Sequence, residues 1–143
     1  YTLGPHQEQL VLDGKAKLNG TGNAGNNFLF GNANINILSG MGGNDVLDGG
    51  KGRDILRGGA GNDLYLIDNA LEIELARADA GRDQVKSTVS YTLGAHQEEL
   101  VLLGTRALSA TGNAGSNFLV GNDGANVLRG KAGDDVLSGG AGN

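Results

Sequence analysis

GMGGNDVLD, GGKGRDILR and GGAGNDLYL follow one another without a gap from Gly40 to Leu66, and their phase decides the fold. In each nonapeptide the first six places are turn chemistry, and the last three read as a short strand. Glycine recurs where a backbone must take positive φ or approach a neighbour closely. A turn plus a strand every nine residues cannot hold this phase in a stack of hairpins. It fits a parallel coil in which nine residues make half a revolution. Strands then alternate between two sheets, and residues 18 apart stack on one edge. The predicted fold is all-β, a right-handed parallel β-roll (a β-solenoid) built from nonapeptide half-coils.

The same phase extends outward. GNAGNNFLF from Gly22 and GNANINILS from Gly31 precede the three units. Their sixth places are Asn27 and Asn36, where the later units carry Asp45, Asp54 and Asp63. The eighth places are Leu29, Leu38, Leu47, Leu56 and Tyr65, the expected core row. A longer repeat encloses this one. YTLGPHQEQLVLDG at Tyr1 returns as YTLGAHQEELVLLG at Tyr91, and the offset of 90 holds to the end of the chain. From Gly112 the units are GNAGSNFLV, GNDGANVLR and GKAGDDVLS, with Asn117, Asn126 and Asp135 at the sixth places. Two modules are expected, 1–83 (regular repeats 22–66, closing segment 67–83) and 84–143 (regular repeats 112–143). The last unit stops partway, so the chain reads as a fragment or a processed domain.

Composition agrees with a repeat rather than a conventional globule. Glycine makes up 27 of 143 residues, proline only 1, and Phe plus Tyr only 6. Stability must then come from a repetitive backbone ladder, from bound ions, or from both. A net charge of −5 disfavours nucleic acid and anionic membranes. There is no Cys, which excludes disulfides and thiolate metal sites. No apolar run approaches the roughly 20 residues of a membrane span.

Stacking determines the metal chemistry. Asp45 and Asp63 are 18 apart and share an edge, while Asp54 lies on the opposite edge, stacked on Asn36. Strands in a sheet are about 4.8 Å apart. Two carboxylates that close repel unless a cation separates them. Two carboxylates and several turn carbonyls make an all-oxygen site. Calcium accepts roughly 6–8 oxygens in loose geometry. Magnesium demands a tighter octahedron, and zinc prefers nitrogen or sulfur. The expected cofactor is Ca2+, as several ions.

These units resemble the RTX (haemolysin-type) calcium-binding nonapeptide, G-G-x-G-x-D-x-U-x with U a large apolar residue. Gly49–Arg57 matches it in full, Gly58–Leu66 matches with Tyr65 as U, and Met41 replaces the second glycine of Gly40–Asp48. The resemblance implies a ligand scheme. The earlier turn of a stacked pair gives its second- and fourth-place carbonyls, the later turn its first and third, and both give the sixth-place carboxylate. The strongest site then comprises the carbonyls of Met41, Gly43, Gly58 and Ala60 with Asp45 and Asp63. A weaker one comprises Gly49, Lys51 and Asp54 with Asn36 and the carbonyls of Asn32 and Asn34. Further weak sites pair Asn27 with Asp45, and Asn117 with Asp135. A terminal site would join Asp68 and Asp83 to Asp54 and the carbonyls of Gly50 and Gly52. The family's usual extra glutamate falls near Ala76 here, and Glu72 is the substitute.

The remaining readings are plainer. Residues 84–93 alternate as one strand, Leu100–Leu103 and Leu10–Leu12 as others, and 70–80 as a short helix or a bulged loop. Asn27, Asn36, Asn117 and Asn126 read first as a ladder that caps turns, ahead of metal ligation. His6 and His96 lie in exposed turns without catalytic partners. The seventh places, Phe28 and Val46 among them, are strand formers or a face for lateral self-association. No catalytic constellation is present. The resemblance implies a calcium-folded module of a secreted or surface bacterial protein exported by type I machinery. The alternatives are an accessory module of a secreted protease, lipase or alginate epimerase, or an adhesive surface.

Overall fold

The short apolar triads form strands because their side chains alternate across the chain. The eighth place points inward, and the seventh and ninth point out. The computed structural model describes residues 1–74 and 81–142. Among these there is no helix. The strands are β1 (Gln9–Val11), β2 (Asn19–Thr21), β3 (Phe28–Phe30), β4 (Ile37–Gly42), β5 (Val46–Asp48), β6 (Ile55–Ala60), β7 (Leu64–Ile67) and β8 (Ile73–Glu74). They continue as β9 (Gln84–Ser87), β10 (Tyr91–Thr92), β11 (Glu99–Leu102), β12 (Ser109–Thr111), β13 (Phe118–Val120), β14 (Val127–Arg129) and β15 (Val136–Ser138).

All strand pairs are parallel, and consecutive strands lie in different sheets. The odd-numbered strands form one eight-stranded wall, β1 through β15. The even-numbered strands form the opposite wall in two pieces, β2-β4-β6-β8 and β10-β12-β14. The result is a β-solenoid of about seven turns. Its core is formed by the eighth-place residues of both walls: Leu29, Leu38, Leu47, Leu56, Tyr65 and Leu119, together with Leu100 of an irregular coil, are all 0% exposed. Each such side chain contributes roughly 1.5–3 kcal/mol of apolar burial. Phe28, at a seventh place, is 49% exposed, as an outward position requires.

Register is 18 residues between regular coils, as in Ile37 on Ile55 and Val46 on Leu64. It departs from 18 at the irregular coils. Gln9 pairs with Phe28, Leu64 with Gln84, and Gln84 with Glu99. Residues 84–93 are therefore not one strand. The chain turns the corner at 88–90, where the buried Ser87 hydroxyl donates to the Val89 carbonyl (2.8 Å) and accepts its N–H (3.2 Å). The two short strands on either side belong to opposite walls. The expectation for 70–80 is decided only in part: Ile73–Glu74 is a strand paired with Ile55–Leu56, and residues 75–80 lie outside the described residues.

Candidate metal centre

Each sixth-place residue ends a turn just before a strand, so the coil stacks these residues into a column on each edge. The first edge carries the turns that enter the long wall. There the backbone N–H of Asn27 donates to Asp45 Oδ1 at 2.7 Å, and that of Asp45 to Asp63 Oδ1 at 2.8 Å. The column continues with the Asp63 N–H on Asp83 Oδ1 at 2.9 Å and the Asp83 N–H on Glu98 Oε2 at 2.8 Å. On the second edge the Asn36 N–H donates to Asp54 Oδ1 at 2.7 Å. In the later repeats the Asn117 N–H donates to Asp135 Oδ1 at 2.9 Å. One oxygen of each aspartate thus ties its coil to the coil before.

The second oxygen has a different setting. Asp45 and Asp54 are buried, and among the described residues Oδ2 of each has no hydrogen-bond partner. Carbonyls surround these oxygens. A Cβ placed on Gly40 would overlap Asp45 Oδ2 and lie 2.6 Å from the Gly58 carbonyl. A Cβ on Gly59 would overlap the Met41 carbonyl, and one on Gly61 the Gly43 carbonyl. On the second edge, a Cβ on Gly50 would lie 2.8 Å from the Asn32 carbonyl, and one on Gly52 2.8 Å from that of Asn34. The Gly49 carbonyl in turn faces Gly31 of the earlier turn. Second- and fourth-place carbonyls therefore face forward, and first-place carbonyls face back, into one slot between stacked turns. Of the expected third-place ligands, Lys51 sits exposed at its turn and Ala60 ends β6 beside Gly42.

The slot sets a buried aspartate oxygen without a donor among turn carbonyls. A buried acceptor without a donor is unfavourable unless a cation meets it. The charge state shows the same tension. Burial pushes the Asp45 carboxyl up to about 6, partly offset by the hydrogen bond from the Asn27 backbone. Burial also raises Asp54, the Asn36 backbone N–H lowers it, and the charges of Asp68 and Asp48 raise it further. Among the described residues no three Asp, Glu, His or Cys side chains converge. Two carboxylates and a majority of carbonyls are the donor set, which suits a hard cation of high coordination number.

The backbone of these turns is specialised. Second places take positive φ at Met41 (88°), Gly50 (71°), Gly59 (115°) and Lys131 (79°). Fourth places do so at Gly43 (91°), Gly52 (151°), Gly61 (122°) and Gly133 (105°). For Met41 and Lys131 this conformation costs on the order of 1–2 kcal/mol, which packing must offset.

One expected site residue falls elsewhere than the sequence suggested. Asp83 lies on the first edge with Asp63, not beside Asp54 and Asp68, because 20 residues separate Leu64 from its partner Gln84. Asp68 is exposed on the second edge, where its charge acts on Asp54. Glu72 stands 18 residues after Asp54, buried to 7% exposure, so it is the sixth-place residue of its own turn. Glu98 was missed altogether. Its recurrence as Glu8 in the other repeat was the available signal. His6 and His96 are exposed, at φ 66° and 63° in their turns.

Fold and site together define a repeat solenoid whose turns gather carboxylates and carbonyls between stacked coils. The family model for the RTX calcium-binding nonapeptide repeat (4 copies) matches residues 21–34, 30–65 and 111–143. These segments cover more than half of the chain, which belongs to this family of calcium-binding structural repeats. No curated protein and no solved structure matches the chain. Among the described residues no helix is long and apolar enough to cross a membrane.

Proposed function

We propose that the chain is a calcium-dependent folding module of a larger secreted bacterial protein. The observation that carries this reading is the pair of buried, acceptor-only oxygens, Asp45 Oδ2 and Asp54 Oδ2. A coil that gathers such oxygens is unstable alone and stable around a cation. Ion-binding energy then becomes folding energy. The strongest slot lies between turns 40–45 and 58–63, with Asp45, Asp63 and the carbonyls of Met41, Gly43, Gly58 and Ala60. The slot of Asp54 with Asn36, and that of Asp135 with Asn117, hold one carboxylate each and bind more weakly. Asp63 with Asp83 forms a further two-carboxylate slot.

The aspartate turns of such a module stay unfolded where calcium is scarce and fold where it is plentiful. That property suits export of an unfolded chain by type I machinery and folding outside the cell. The test is a calcium titration of metal-stripped protein, followed by far-UV circular dichroism and native mass. Sheet signal that rises with calcium, together with uptake of several ions, is the expected result. A native-like metal-free spectrum that calcium leaves unchanged overturns the reading.

A further inference from the structure

The eight regular turns divide into two kinds without exception. Where the second place is Asn (Asn23, Asn32, Asn113, Asn122), the sixth place is also Asn. Where it is Met41, Gly50, Gly59 or Lys131, the sixth place is Asp. The backbones divide the same way. The aspartate turns take positive φ at the second and fourth places, and the asparagine turns at neither.

The side chains show why. Asn23 Nδ2 donates to the Gly4 and Gln7 carbonyls of the preceding turn, both at 2.8 Å. Asn113 Nδ2 repeats this on Gly94 (2.6 Å) and Gln97 (2.7 Å), and Asn122 Nδ2 on Leu103 (3.0 Å) and Arg106 (3.1 Å). Asn32 Nδ2 donates to the Ala16 carbonyl at 2.9 Å. The sixth-place asparagine completes the turn. Asn117 Oδ1 accepts the Asn113 N–H at 2.8 Å, and its Nδ2 donates to Asn113 Oδ1 at 3.1 Å and to the Gln97 carbonyl at 3.2 Å. The slot behind an asparagine turn therefore contains N–H donors aimed at the preceding carbonyls. The second place of an aspartate turn supplies no side-chain amide to its slot. A neutral amide does behind the asparagine turn what a cation does elsewhere.

We infer that the second place of each nonapeptide selects how its turn closes: Asn closes it on the preceding coil without metal, and a residue at positive φ leaves the slot open for calcium. Which ion fills the open slots rests on the proposed function; closure of the asparagine turns does not. The asparagine turns seat each run of regular repeats on the irregular turns before it, which offer carbonyls but no sixth-place aspartate.

The test uses the full chain and two matched exchanges. Asp135→Asn alone removes a carboxylate and provides no second-place amide. Lys131→Asn with Asp135→Asn provides both asparagines. In chelator, the double variant should exchange its β15 amides roughly tenfold or more slowly than the single variant, from two added hydrogen bonds. Both variants should bind one calcium fewer than the wild type. The converse change, Asn113→Gly with Asn117→Asp, should lose β13 protection in chelator and regain it in calcium. Equal exchange in the single and double variants overturns the inference, as does undiminished β13 protection in the converse variant. A wild type that takes up no calcium overturns the proposed function, while the exchange rates in chelator still decide the role of the second place.

Discussion

Protons should substitute for calcium. In the ion-free fold the Asp45 carboxyl titrates at about 6 against an ordinary 3.8, chiefly because burial disfavours its charge. Between these values the folded chain holds a proton that the unfolded chain has released. Stability is therefore greatest at the acid end of the window and is lost as pH rises through about 6. A shift of about 2 units corresponds to about 3 kcal/mol, an upper value for this one group. Asp54 is displaced in the same direction by burial and by Asp68 and Asp48, so it adds to the effect. Against a typical total of roughly 5–15 kcal/mol this is a large fraction. The assay is far-UV circular dichroism of metal-stripped protein from pH 7.5 downward, at concentrations low enough to avoid precipitation near the pI of about 4.8. Sheet signal should rise as pH falls through 6 without calcium. It should hold steady over the same range in saturating calcium, whose affinity should weaken below pH 6. Asp45→Asn should remove part of the acid-induced gain, leaving the share of Asp54. A metal-free chain that loses structure between pH 7 and 5, or an Asp45→Asn variant that keeps the full gain, refutes the reasoning.

Other consequences are simpler to state. Gly40→Ala puts a methyl against Asp45 Oδ2 and the Gly58 carbonyl, at a position whose φ any residue tolerates. It should weaken calcium binding by about 1–3 kcal/mol in a titration and leave the metal-free spectrum unchanged. Leu47→Ala empties a fully buried core position and should cost about 2–5 kcal/mol in urea unfolding of the calcium-bound chain. Asp63→Ala removes a carboxylate shared by the slots of Asp45 and Asp83. It should raise the calcium concentration needed for folding far more than Asn27→Ala, and equal effects would refute the ranking of slots.

The fold was legible because the nonapeptide phase carries its own register. A strict nine-residue repeat fixes the 18-residue stacking of Asp45 on Asp63 and of Leu47 on Tyr65, and no tertiary information is needed. Reading failed where the phase slips. Two extra residues between Leu64 and Gln84 carried Asp83 to the opposite edge from the one expected. The shortened coil from Gln84 to Glu99 broke an alternating segment into two strands on different walls. The asparagines were legible as turn caps. Which carbonyls their amides reach was not, because that depends on the preceding turn, whose sequence is irregular.

The joint between the two long repeats follows from the same geometry. In a solenoid each coil is supported only by its neighbours, so a weak coil divides the stack into parts that unfold separately. The coil from Gln84 to Glu99 is the shortest, and among the described residues the even-numbered wall is interrupted there, between β8 and β10. The odd-numbered wall is not interrupted. It passes through β7, β9 and β11, and the column beside it continues from Asp83 to Glu98. Gln84 Nε2 also donates to Glu99 Oε1 at 2.6 Å across the same step. Glu98 and Glu99 of the HQEE segment therefore do for the junction what aspartate does inside the run: they accept from the coil before and carry the stack forward.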